Sequence, residues 1–197
     1  MITTMAELAA TARQHMPPQS SFRPQDRQVI ERNTEFLLSL TPQLVAAFYD
    51  TLFAHEPTSE VFTEGERPAR EGTLTDWWHR TVRGPLDDDY FAWMAMVGLV
   101  HVVRGVTNPM MLAMSDFVAR AVAEAAYASL DTAEAKLLVE AYRRLFATVS
   151  AVIVYGYDRA IEDALFDVAG MPTALLHRLR NQAVDRALEQ ARKDIGS

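Results

Sequence analysis

YFAWMAMVGLVHVVRGVTNPMM, residues 90–111, decides how the rest of the chain reads. It is an apolar run carrying a single histidine, His101, and it stops at Thr107, Asn108 and Pro109. Taken as a helix, it puts Met94 and Val97 on the face of His101, because residues three, four and seven apart line up. Gly98 and Gly105 fall on the same side, three before and four after His101, and thin the surface beside the imidazole. That leaves room for something flat. A neutral imidazole facing a flat space is what an axial haem ligand requires. A lone histidine on an apolar helix is more often a core residue whose ring meets a carbonyl. This stretch by itself leaves both readings open.

Working outward, Asp87, Asp88 and Asp89 open the helix. Adjacent carboxylates suggest metal or acid chemistry, but acidic residues at a helix N-terminus complement its dipole, and that reading is preferred. On the other side, Asn108-Pro109 starts a helix to about residue 129, with Met110, Met114, Phe117 and Val118 apolar and Ala119, Ala121, Ala123, Ala125 and Ala126 making a small-residue face. Asp131 with Glu134 reads as the capping pair of a last long helix, to about residue 168. Its middle, LFATVSAVIVYGY, is apolar nearly all round, as expected of a helix that serves both the core and a subunit interface.

Upstream, a helix is expected over about 69–82, with Leu74, Trp77, Trp78 and His79, closed by Gly84-Pro85. Before it, Thr41-Pro42 reads as a capped helix start, and Leu44, Val45, Phe48, Leu52 and Phe53 form one face with Tyr49 beside Phe48 and Phe53. A single helical turn is expected over 58–62, a helix from Pro24 to about Leu40, a linker over 17–23 and a short helix over about 5–15. Gly170-Met171-Pro172 breaks the chain ahead of an amphipathic tail helix over 173–195. There the arginines alternate with acidic residues, which makes a solvated face rather than a basic patch. No strand alternation or internal repeat interrupts this, so the fold class is all-α.

The composition narrows the function. A chain of 197 residues fits one domain with tails and buries roughly 70% of its unfolded surface. It contains no cysteine, which excludes disulfides, zinc-thiolate sites, iron-sulfur clusters, thiolate-ligated haem and cysteine nucleophiles, and fits a cytoplasmic location. The net charge of -7 argues against a nucleic-acid or anionic-membrane partner. The first fifteen residues lack the pattern of a signal peptide, and no apolar run approaches the roughly 20 residues of a membrane span. The histidines at 15, 55, 79, 101 and 177 have no zinc spacing. There is no phosphate loop, nucleophile elbow or Ser-His-Asp cue. A bound prosthetic group is the most economical remaining source of chemistry.

Three pieces, in this order, resemble one family: LVAAFYDTLFAHEPTSEVF, GPLDDDYFAWMAMVGLVHVVRGVTNPMM and AYRRLFATVSAVIVYGYDRA. They are similar to the sensor-type globins, meaning the globin domains of globin-coupled sensors, the single-domain sensor globins and the protoglobins, over roughly residues 24–159. The middle piece is the most specific. The family places a proximal haem histidine a few residues before a glycine and a proline-initiated helix, which lands on His101, Gly105 and Pro109.

The resemblance implies a globin fold with an N-terminal extension over 1–23, a haem-binding domain over 24–169 and a C-terminal amphipathic helix over 170–197. It implies haem b, with His101 as the metal ligand. The family's distal tyrosine falls on Tyr49, where a phenol hydroxyl offers a hydrogen bond to a bound gas that accumulates negative charge. Phe48 then becomes a pocket wall. The distal threonine of some members aligns with Thr73, or with Thr75 after a small slip. Met94, Val97, Gly98 and Gly105 are expected against the cofactor, Arg104 at a propionate, and His79 as a less favoured alternative contact. The implied role is reversible binding of oxygen, NO or CO, with signalling through a homodimer of the last two globin helices or through a partner protein. Alternatives are a haem enzyme of the NO-dioxygenase or peroxidase kind, and a haem-free interaction module. After Pro172 a tail of one helix is expected, rather than a kinase, cyclase or methyl-accepting region.

Overall fold

Ten helices, with no strand, make up residues 4–195, the part of the chain described by the computed structural model. Residues 1–3 and 196–197, which the sequence reading assigns to the N-terminal extension and the C-terminal region, lie outside the described residues. The helices are α1 (Met5–Gln14), α2 (Pro24–Arg32), α3 (Thr34–Ser39), α4 (Thr41–Ala54), α5 (Glu56–Ser59), α6 (Arg67–Arg83), α7 (Asp88–Val103), α8 (Asn108–Ser129), α9 (Thr132–Ala169) and α10 (Thr173–Ile195). Two compact units result, one reaching Gly156 and the other running from Tyr157.

Within the first unit α9 is the central strut. Ala135, Leu138, Ala141, Tyr142, Leu145, Val149, Val152 and Ile153 recur at helical spacing, and all are buried. Trp78 of α6 is fully buried and tilts against Tyr142 at 5.9 Å between ring centroids, while its indole N–H donates to the Leu37 carbonyl at 3.2 Å. The buried Asp26 of α2 pairs with Arg144 of α9. The interior is therefore defined by aromatic packing together with one shielded ion pair.

Helix α7, which carries His101, is held along much of its length. Asp87 caps it by accepting the Tyr90 amide at 3.1 Å, and Asp88 and Asp89 sit in its first turn. Helix α1 packs along it, with Arg13 paired to Asp88 at 2.6 Å and lying over the Phe91 ring at 4.7 Å. From α6, Thr81 shares a hydrogen bond with the Tyr90 hydroxyl at 2.9 Å and Arg80 covers Trp93 at 3.9 Å. Cation-π contacts of this kind contribute about 0.5–1 kcal/mol when exposed. The second unit contains the end of α9 and the tail helix, where Arg159 pairs with Glu162 at 2.6 Å and His177 approaches the same carboxylate at 3.3 Å.

Four local expectations are corrected. The helix expected over 24–40 breaks at Asn33, whose side-chain amide donates to the Val29 carbonyl at 2.8 Å; a short polar side chain competes with the helical backbone there. Thr41 is not a cap: Leu40 precedes the helix, and the Thr41 hydroxyl donates backwards to the Leu38 carbonyl at 2.7 Å. Asp131 accepts the amides of Ala133 and Glu134, each at 3.1 Å, yet Glu134 does not return the bond, because its carboxylate is taken by Arg32 and Asn33. The turn expected over 58–62 begins earlier, as α5.

Candidate cofactor site

His101 lies in the last turn of α7, and its position is set by how that helix stops. Gly105 adopts φ +74, a left-handed conformation that costs glycine nothing. The chain can then fold back, so that the Gly105 amide donates to Val102 at 3.1 Å and the Val106 amide to the carbonyl of His101 at 3.0 Å. This is a Schellman closure, and His101 is one of its anchors. Gly105 thus acts on the histidine through the backbone, and no atom lies within 4 Å of where its Cβ would be.

The imidazole is half-buried, and its Nδ1 is buried with no hydrogen-bond partner. Burial pushes its pKa below the usual histidine value, so the ring is neutral at pH 7. A neutral imidazole with a ring nitrogen left open by the protein is a suitable donor for iron. Among the described residues no group of histidine, aspartate and glutamate side chains converges to hold a metal in another way. Met94, two turns earlier, is buried, and Val97 is half-buried.

Gly98 is turned elsewhere than expected. A Cβ on it would meet the Ile153 Cα at 3.3 Å, so its missing side chain brings α7 close to α9. Its angular offset from His101 is small on a helical wheel but enough to place it on the α9 side.

The other candidate residues, Tyr49 and Phe48, lie on α4. Tyr49 is 5% exposed and forms a cluster with Val45 and Leu52, against which Phe48, Phe53, Phe62, Leu74 and Met114 pack. The rings of Phe48 and Phe62 meet Tyr49 edge-on at 5.4 and 5.9 Å. Met114 comes from α8, the helix that follows the histidine helix in the chain. The Tyr49 hydroxyl donates to the Arg70 carbonyl of α6 at 2.8 Å. Burial, the largest influence, pushes the phenol up to about 12, against the opposing field of Arg70.

Thr73 faces solvent and its hydroxyl donates to the Ala69 carbonyl at 3.1 Å; its neighbour Leu74 is the residue turned towards Tyr49. Thr75 is half-buried and lines an open cleft between α4 and α6 with Val45 and Glu71. Neither that cleft nor the one between α4 and α8 includes His101. His79 is half-buried on α6. Arg104 does not stand free for an outside carboxylate: its Nη2 donates to both oxygens of Glu66, at 2.7 and 2.9 Å.

Sequence reasoning did not single out Glu66 and Arg70, and did not connect Phe62 and Met114 with Tyr49. The four-residue spacing of Glu66 and Arg70 is a visible signal for their pair, which closes at 2.6 Å. Nothing local announces the link from Glu66 to Arg104.

A protein-family model described as Protoglobin matches residues 20–163. A search of curated proteins finds no match.

Proposed function

We propose that this chain, which belongs to the protoglobin family, holds one haem b through His101 and reversibly binds a diatomic gas on the side of Tyr49. Protoglobins are globins that bind haem and gas ligands. The observation that carries the residue assignment is the neutral imidazole of His101, with a buried and unpartnered Nδ1, on a helix braced by α1, α6 and α9. The side chains fit the group. There is one nitrogen donor, an aromatic and apolar cluster, and within that cluster a hydroxyl.

Haem, held by His101, would supply an iron centre able to bind oxygen, NO or CO. The chain's own contribution is orientation and selection. The Schellman closure holds His101 in register, and Phe48, Phe53, Phe62 and Leu74 exclude water from the space near the phenol. Tyr49 offers one hydrogen bond, which favours a gas that gathers negative charge over one that does not.

Sensing follows if ligation moves α7. Its C-terminus runs within a few residues into α8, and α8 with α9 is the proposed homodimer surface. The amphipathic α10 is then available to a partner protein. No helix among the described residues is long and apolar enough to cross a membrane, and the proposed location is the cytoplasm.

The test is the absorption spectrum of the ferrous, haem-loaded protein with and without oxygen and with CO. The expected result is a haem spectrum that shifts with each gas and recovers on its removal. Protein that stays colourless after haem addition overturns the reading.

A further inference from the structure

Glu66 is joined to both groups of candidate residues. Its carboxylate accepts the Thr63 amide at 3.0 Å, Arg70 Nε at 2.6 Å and Arg104 Nη2 at 2.7 Å, with its side chain only 12% exposed. Arg104 is the C-cap of the His101 helix, and Arg70 is the residue whose carbonyl receives the Tyr49 proton. One carboxylate therefore ties the α5–α6 loop, the first turn of α6 and the end of α7.

A phenol has a single proton. While Tyr49 donates it to Arg70, that proton is not available to a gas. We infer that Glu66 is a positioning residue for Tyr49: by clamping Arg70 and Arg104 it holds the Arg70 carbonyl under the phenol, and so divides the tyrosine proton between the backbone and the bound gas. This rests on the reading above that Tyr49 faces the gas.

The clamp holds one side of the first turn of α6. Its N-cap is Glu66 itself, with no side-chain capping bond, and the contacts of Glu66 to Thr63, Arg70 and Arg104 fasten that side, while Arg67 is tied to Asp50 and Glu71, each at 2.7 Å, on the other. The carboxylate is held down to about 2, chiefly by the Thr63 amide and further by Arg70 and Arg104, so it stays charged at neutral pH. Without the clamp the first turn loosens, the carbonyl withdraws, and the phenol turns its proton to the gas. Any movement of the His101 helix pulls on the same carboxylate through Arg104, which links the proximal side to the distal hydrogen bond.

The experiment compares the full-length parent, Glu66→Gln, Tyr49→Phe and the double variant. With haem bound, Glu66→Gln is expected to slow oxygen release about 3- to 10-fold, the range of one ordinary hydrogen bond, and to leave CO release within about twofold. In the Tyr49→Phe background the substitution is expected to have no effect. Without haem, Glu66→Gln is expected to raise nitration of Tyr49 by tetranitromethane several-fold, mapped by mass spectrometry. Arg104→Gln removes the opposite end of the clamp and repeats these results if Glu66→Gln does not fold. Unchanged or faster oxygen release in both clamp variants overturns the inference, as does an equal effect with and without the Tyr49 hydroxyl. If Tyr49→Phe alone leaves oxygen release unchanged, the distal role of Tyr49 fails first and takes the inference with it.

Discussion

Tyr49→Phe is expected to speed oxygen release about 10-fold, the low end of what a hydrogen bond to a charged acceptor contributes (about 1.5–3 kcal/mol), because the phenol shares its proton with the Arg70 carbonyl. Carbon monoxide gathers little charge when bound, so its release is expected to change by less than about twofold. The substitution is close to isosteric. It removes a single oxygen from a side chain already packed against Phe48, Phe53 and Phe62, so the wall of the site survives. It also frees the Arg70 carbonyl, which keeps its place in the α6 backbone. Stopped-flow mixing with an excess of CO measures the oxygen rate. An unchanged rate would falsify the distal assignment of Tyr49.

The second large effect is on stability. Asp26→Ala is expected to cost about 3–5 kcal/mol, because it strands the Arg144 guanidinium in the interior. Asp26 is 3% exposed, and besides Arg144 it accepts the Arg23 amide at 3.0 Å, so the start of α2 is lost with the pair. Glu140 remains near Arg144 at 3.1 Å and offsets part of the charge, which places the result toward the lower end of that range. Replacing both partners with apolar residues of similar size, Asp26→Leu with Arg144→Met, is expected to recover most of the loss. Urea unfolding of the parent and variants decides this. A midpoint for Asp26→Ala equal to the parent's would show that the pair contributes nothing.

Much of the chain's architecture was legible because its punctuation is local. Asn108-Pro109 and Gly170-Met171-Pro172 set the start of α8 and the gap before α10, and the apolar period of residues 145–157 marks α9 as buried. What escaped was partner choice across long sequence separations. Asp131 and Glu134 have the spacing of a capping box, but Arg32 and Asn33, about a hundred residues away, provide Glu134 with stronger donors.

The same holds at the site. His101, Tyr49 and Phe48 could be singled out by residue type and family pattern, whereas the facing of a side chain depends on rotation about the helix axis. A step of one residue swings a side chain by about 100°, which is why Leu74 rather than Thr73 meets Tyr49 and why Gly98 clears α9. Arg104 has the chemistry of a propionate partner, but Glu66 from a distant loop reaches it within the chain itself.

The central claim is that the His101 imidazole is the protein's bond to iron. The direct measurement is the ferrous absorption spectrum of His101→Gly beside the parent, with haem supplied equally and imidazole then added. Loss of the parent spectrum and its return with free imidazole is the predicted result. A His101→Gly protein that keeps the parent's haem spectrum unchanged contradicts the account.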